Sequence, residues 1–358
     1  MNYTGVTKRI MNCCEVLTAR MPGGLAQVNI LLSTLMGGLS GSSLADAAMQ
    51  CKMLVPTMES KGYSKSFSTV ITAASGMVVP LIPPGVGLII YGCINNISIG
   101  KLFIAGIGPG IVLCVTLMIF THFLSKKRGY LPSRTTKIPV SEKIAAVRPA
   151  FLPLLLPIII IGGVRIGVFT ASEAGTVAIV YAVLLGLLYK ELTLKNVMQG
   201  CKETVTTTAS IMLIVAAATC FSWILTKEQI PQQFSQWMIS NIHNKYVFLI
   251  MVNIFLLIVG MFIEGNASMI VLAPLLHPVA MAYGIDDIHF AMVYIFNCTI
   301  GAFTPPMGTL MFVSCGITKC PTKDFIKEAV PFYILFAIDI IVLTYIPQLT
   351  TFLVNVFY

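Results

Sequence analysis

Charge is what this sequence has least of. Of 358 residues only 10% are Asp, Glu, Lys or Arg, whereas 56% are hydrophobic and the mean hydropathy is +0.88. Soluble domains carry roughly 25% charged residues, so a soluble globular fold is excluded. Paired cysteines are missing too. The ten cysteines form no CxxC, and most lie in apolar stretches, where a reduced thiol behaves as a small hydrophobe. There is no HExxH, Walker A or GxSxG motif, so nothing argues for an enzyme.

Long apolar runs fill the chain instead. Leu102–Leu124, Pro149–Val168, Ala171–Tyr189, Val205–Leu225, Val247–Ile263 and Phe332–Val354 are each apolar enough to cross a bilayer. They predict an all-α polytopic membrane protein. A net charge of +9 would suggest nucleic acid in a soluble protein, but here the cations sit between the spans. The stretch "SKKRGYLPSRTTKIPVSEKIAAVRP" holds Lys126, Lys127, Arg128, Arg134, Lys137, Lys143 and Arg148 against the single acid Glu142. The positive-inside rule places that loop in the cytoplasm.

The helix breakers repeat. "LIPPGVGLIIYG" at 81–92 is answered by "FTPPMGTLMFVS" at 303–314, an offset of 222 residues. The same offset pairs Pro56 with Pro278, Gly62 with Gly284, Pro84 with Pro306, and Leu88 with Leu310. It also pairs Lys101 with Lys323, Phe103 with Phe325, Ile104 with Ile326 and Pro109 with Pro331. The first copy, 1–124, reads as an amphipathic arm (Thr4–Arg20), a hairpin at 22–56, a broken span at 64–97 and a span at 102–124. The basic loop follows at 125–148. The second copy, 149–358, reads as spans at 149–168, 171–189 and 205–226, an arm at 228–243, a hairpin at 247–282, a broken span at 287–316 and a final span at 332–354.

Each hairpin consists of two short apolar segments around a polar interruption, "GGLSGSSLADA" in the first and "EGNAS" in the second. The segments are too short to cross comfortably and predict re-entrant helices that enter and leave on one side. Five crossings then separate the copies. An odd number inverts the second, which is the inverted-repeat, discontinuous-helix architecture of secondary transporters. Lys8, Arg9, Arg20, Lys52, Lys61 and Lys65 agree, placing the first hairpin's base in the cytoplasm. The offset also predicts three opening spans of the first copy ahead of Met1, so the first copy is expected to be incomplete.

A continuous helix from Ser64 to Asn95 would be about 48 Å long, against a hydrocarbon core of about 30 Å. An unwound centre fits better, and such backbone is tolerated at membrane depth only when buried or lining a polar cavity. Unwound carbonyls and helix C-termini suit cations, and helix N-termini suit anions. In "GAFTPPMG", Gly301, Thr304 and Met307 are spaced to turn carbonyls toward one point; Val79, Ile82 and Gly85 are their equivalents. The tips Gly41-Ser42-Ser43 and Gly265-Asn266-Ala267-Ser268 add hydroxyls, an amide and free backbone. Oxygen donors without a carboxylate cluster favour a monovalent cation over Zn²⁺ or Ca²⁺.

The segments "MPGGLAQVNILLSTLMGGLSGSSLADAAM", "GVFTASEAGTVAIVYAVLLGLLY" and "GAFTPPMGTLMFV" resemble the large membrane subunit of tripartite ATP-independent periplasmic (TRAP) transporters. The resemblance covers essentially the whole chain, except that three scaffold helices expected at its start are absent. It implies an elevator-type, sodium-coupled importer of organic acids such as C4-dicarboxylates or sialic acid, in the bacterial inner membrane. It implies a small membrane subunit and a secreted substrate-binding protein as partners, with Na⁺ as coupling ion and no other cofactor. Family sodium sites carry over to Ser42, Ser43, Gly85, Gly265, Asn266, Gly301, Thr304 and Met307. Asp46, after the first tip, and Glu264, beside the second, are substrate candidates, because charge at membrane depth is functional by default. Glu173 and Arg165 read as a helix cap and a snorkelling cation. Two other readings fit the same architecture: a divalent-anion/sodium symporter that needs no binding protein, and an inactive truncated remnant.

Overall fold

The computed structural model describes residues 5–134 and 138–358; Thr4 at the start of the arm and Lys137 of the basic loop lie outside them. All regular elements among the described residues are helices. The first half holds α1 (Val6–Thr18), α2 (Gly24–Ser40), α3 (Ser43–Ser60), α4 (Lys65–Gly76), α5 (Val86–Asn95) and α6 (Ile99–Lys127). The basic loop leads to α7 (Val140–Arg165), α8 (Ala171–Leu188) and α9 (Leu194–Lys227). The order of the first half then recurs as α10 (Ile230–Asn241), α11 (Lys245–Phe262), α12 (Gly265–Ala282), α13 (Asp287–Gly301), α14 (Thr309–Thr318) and α15 (Thr322–Tyr345), with α16 (Gln348–Phe357) at the end.

Four helices are long and apolar enough to cross a membrane among the described residues: α6, α7, α11 and α12. The bent pair α15 and α16 would make a fifth. The final span, expected as one run over 332–354, turns by 49° between these two helices. Pro347 explains the turn, since the residue before a proline is pushed out of the helical region, and Ile346 sits at φ −118°, ψ 79°.

The centre of the molecule is made of α4 and α13. From Phe67 to Gly76 and from Ile288 to Gly301 every residue is buried. A helix buried on all sides must satisfy its own polar groups. In α4 the hydroxyls of Ser68, Thr69, Thr72 and Ser75 donate to carbonyls three or four residues back, at 2.8–2.9 Å. Around this core the two halves exchange partners: α3 packs on α14 and α12 on α5, while α4 packs on α15 and α13 on α6. Helices α7 and α8 lie outside, exposing Phe151, Ile158, Ile179, Leu184 and Leu188 as a lipid-facing surface would.

The polar interruptions are shorter than the sequence suggests. In the first hairpin the helix runs on through Gly37–Ser40 and only Gly41 and Ser42 leave it. Gly41 sits at φ 62° and its N–H donates to the Gly37 carbonyl, an ordinary left-handed helix stop. Ser42 is extended and caps α3 by accepting from the Ala45 N–H. In the second hairpin the break is Ile263–Glu264, and Gly265–Ser268 form the first turn of α12.

Candidate functional site

One cavity of about 330 Å³ lies where the breaks meet. Its walls include the first tip (Gly41–Leu44), the second tip (Glu264–Asn266), Pro80, Val86 and Gly87 of the first broken span, and Cys298, Thr299, Ala302 and Thr309 of the second. Ser43, Val86, Gly265 and Thr309, the first residues of α3, α5, α12 and α14, all line it. Four helix N-termini thus border one space. Each carries roughly half a positive charge, which favours a carboxylate, although the Val86 N–H of α5 already bonds the Gly41 carbonyl and the Asn266 and Ala267 N–H groups of α12 already bond Glu264.

The first tip is seated directly on its broken span. The Val86 N–H donates to the Gly41 carbonyl at 3.3 Å. A Cβ on Gly41 would stand 2.7 Å from the Pro84 carbonyl oxygen. The second hairpin meets its broken span through glycine as well: a Cβ on Gly301 would lie 2.6 Å from the Gly260 Cα. The Pro83–Pro84 and Pro305–Pro306 bonds are both cis.

Of the residues singled out from sequence, Ser42, Ser43, Gly265, Asn266 and Glu264 border the cavity. Gly85, Gly301, Thr304, Met307 and Asp46 do not. Gly85 caps α5 against the Pro80 carbonyl. The Gly301 carbonyl accepts the Thr304 N–H at 3.0 Å, closing a turn, and the Thr304 hydroxyl donates to the Ile300 carbonyl at 2.8 Å. Met307 is 55% exposed. Of the carbonyl pair that the turn does bring together, sequence reasoning named Thr304 and missed Ala302. A Cβ on Gly308 would meet both the Ala302 and Thr304 oxygens at 2.7 Å, so those two carbonyls face one point across a glycine. It also missed Thr207 and Ser210 of α9, which reach the cavity wall from outside the breaks.

The two candidate acids have partners of their own. The Glu264 carboxylate is the N-cap of α12, accepting from the Asn266 and Ala267 N–H groups at 2.9 and 3.1 Å and from the Asn266 amide at 2.9 Å. Asp46, 1% exposed, sits in the first turn of α3 behind the tip. It accepts from the Ser33 hydroxyl at 2.8 Å and the Gln50 amide at 2.6 Å, and its other oxygen has no partner among the described residues. Glu173 does cap α8, in a capping box with Thr170. Arg165 stacks over Phe357 and donates to that residue's carbonyl.

Several membrane-length helices and a cavity bordered by helix breaks are the features of a membrane transport protein. Residues 1–349 match the family model described as "Tripartite ATP-independent periplasmic transporter, DctM component". The chain is 40% identical to the sialic acid TRAP transporter large permease protein SiaM of Vibrio cholerae, covering all of this chain and 83% of that one. It is 35% identical to the C4-dicarboxylate TRAP transporter large permease protein DctM of Pseudomonas aeruginosa, over 99% of this chain and 83% of that protein. Identity to the 2,3-diketo-L-gulonate TRAP transporter large permease protein YiaN of Escherichia coli is also 35%, over 98% of this chain and 82% of that one. The chain belongs to the DctM family of TRAP transporter large permease subunits. It is an inner-membrane transport protein, not an enzyme, and its family works with a small membrane subunit and a substrate-binding protein.

Proposed function

We propose that this chain is the membrane subunit of a sodium-coupled importer of organic acids, of the C4-dicarboxylate or sialic-acid type. Its acid is delivered by an extracytoplasmic binding protein, and a small membrane subunit completes the complex. The observation that carries the reading is the meeting of four helix N-termini with oxygen donors in one cavity. A carboxylate entering it would find N–H groups and helix dipoles in place of water. Sodium would take the hydroxyls of Ser42 and Ser43, the Asn266 amide oxygen and the Ala302 carbonyl of the second broken span, which also accepts the Leu310 N–H. Such hard neutral donors suit a monovalent cation, and the cation lowers the cost of bringing an anion to membrane depth. Coupling follows because each ion improves the field for the other.

In this reading α2–α3 and α11–α12 are re-entrant hairpins of two inverted repeats. They carry the cavity across the membrane against a scaffold that includes α7, α8 and α9. The first hairpin favours this reading, since α2, at 17 residues, is about 26 Å long and short of a core of about 30 Å, whereas α11 and α12 are each long and apolar enough to cross. The basic loop between the halves lies on the cytoplasmic face.

The test is uptake of radiolabelled N-acetylneuraminate or succinate by proteoliposomes holding this chain and a small membrane subunit. Uptake is expected to need an inward sodium gradient and a binding protein loaded with the acid. Equal uptake with potassium would remove the coupling. Uptake without a binding protein would favour the self-sufficient symporter.

A further inference from the structure

A second cavity, also of about 330 Å³, shares no lining residue with the one at the helix breaks. It lies between the arm α1 and the start of α7, lined by Lys8, Arg9, Asn12, Ala145, Pro149 and Glu191. Its position along the membrane normal can be read from α7. The charged stretch of that helix ends at Arg148 and its apolar run begins at Pro149. Tyr189 lies beside the same boundary, its hydroxyl donating to the Pro149 carbonyl at 3.3 Å, as interfacial tyrosines do. The cavity therefore sits at headgroup depth.

Its charge is unbalanced. Arg9 stacks 3.7 Å above the Tyr189 ring and pairs with Glu191 at 3.0 Å. That pair consumes the one carboxylate that lines the cavity among the described residues. Lys8 has no partner among the described residues and leaves one positive charge in excess. Lys143 and Arg148 flank the lining stretch of α7, and Lys190 and Lys195 flank Glu191. The arm itself is amphipathic. Val6, Ile10, Cys13 and Cys14 are buried, whereas Lys8 and Asn12 are exposed. Immediately below the boundary, Phe151, Leu184, Leu187 and Leu188 are more than half exposed, an apolar surface against which acyl chains can lie.

We propose that this cavity is a binding site for one anionic phospholipid, with the phosphate held by Lys8, Arg9 and Asn12 and the acyl chains along α7 and α8. A basic pocket between helices on the loop-facing side of a membrane protein is the geometry that recognises acidic headgroups. An excess of one positive charge fits a monoanionic phosphodiester and gives no advantage to a zwitterionic lipid. Because α1 packs on both α2 and α7, the bound lipid would bridge the first hairpin to the outer helices.

The test uses the full chain purified in mild detergent, with lipid retention read by native mass spectrometry during titration with phosphatidylglycerol or phosphatidylcholine. One phosphatidylglycerol per chain is expected to be retained at least tenfold more tightly than phosphatidylcholine. Lys8→Glu reverses one charge and is expected to weaken retention on the order of tenfold or more. Lys61→Glu reverses the charge of an exposed lysine that does not line the cavity and is expected to leave retention unchanged. Equal losses in both variants would reduce the effect to general surface charge and overturn the site. Equal retention of the two lipids would overturn it as well. Displacement of the lipid by millimolar glycerol 1-phosphate would show a free-phosphate pocket in which the acyl chains have no part, and would also overturn the assignment.

Discussion

Gly41→Ala separates two costs that the first hairpin tip combines. Gly41 lies at φ 62°, and a Cβ there would stand 2.7 Å from the Pro84 carbonyl oxygen. Gly62 lies at φ 85° with nothing within 4 Å of its would-be Cβ. Placing alanine in the left-handed region costs about 1–2 kcal/mol, and Gly62→Ala should lose about that much. Gly41→Ala carries the same cost and a steric one. Ordinary heavy-atom contact is about 3.5 Å, so Pro84 must retreat by most of an ångström, which also stretches the Val86–Gly41 hydrogen bond at the cavity wall. Overpacking of this kind costs about 1–3 kcal/mol more. Thermal unfolding of both variants in detergent, read by a thiol-independent fluorescence probe, checks the difference. Uptake adds a second reading, with Gly62→Ala near wild type and Gly41→Ala severely reduced. Equal destabilisation of the two variants would refute the seating of the tip on the broken span.

Other outcomes follow from the same geometry. Asp46→Ala strips two hydrogen bonds from a buried carboxylate and should cost about 2–4 kcal/mol, whereas Asp46→Asn, which keeps an acceptor, should lose less; equal losses in a denaturation assay would mean that the charge itself matters. The buried chain from Asn297 to Asn253 to Thr344, at 2.8 and 3.0 Å, ties α13 to α11 and α15. Asn253→Leu should therefore cost about 1–3 kcal/mol by orphaning buried partners, and an unchanged melting temperature would contradict it. Single cysteines at Ser133 and His243, in a cysteine-free background, should label from opposite sides of the membrane; labelling from the same side would break the inverted repeat.

What the sequence made legible was local. Proline and glycine act on the backbone where they stand, so the four helix breaks, between α2 and α3, α4 and α5, α11 and α12, and α13 and α14, could be placed from "LIPPG", "FTPPMG" and the small-residue tips alone. The tips are shorter than expected because Gly37, Gly38 and Ser40 are permissive rather than obligatory breakers, and Gly37 and Gly38 stay helical where α2 packs closely on Val79, Ile82, Pro83 and Pro157. The 49° turn at Pro347 lay within reach of the rule for residues before proline, but the apolar run around it reads as one span. What stayed hidden was tertiary. No spacing shows that Thr207 and Ser210 of α9 reach the cavity. Nor does spacing reveal that the carbonyls of Ala302 and Thr304 converge while that of Gly301 closes a turn. Repeat arithmetic pairs equivalent positions of the two halves but names no packing partners, whereas the packing of α3 on α14 and of α12 on α5 is tertiary.

The central claim is that the cavity at the helix breaks takes the sodium and the acid together, and accessibility of Thr309, the first residue of α14 on its wall, tests it most directly. A single cysteine at that position, in the complete transporter complex in membranes, would be reacted with a small hydrophilic maleimide. Sodium and the transported acid together are predicted to slow labelling several-fold, each alone less, and potassium not at all. A Ser133 cysteine in the basic loop is predicted to be unaffected. Labelling of the Thr309 cysteine at one rate in all four conditions, with an acid that the same complex demonstrably takes up, would place the site elsewhere and contradict the account.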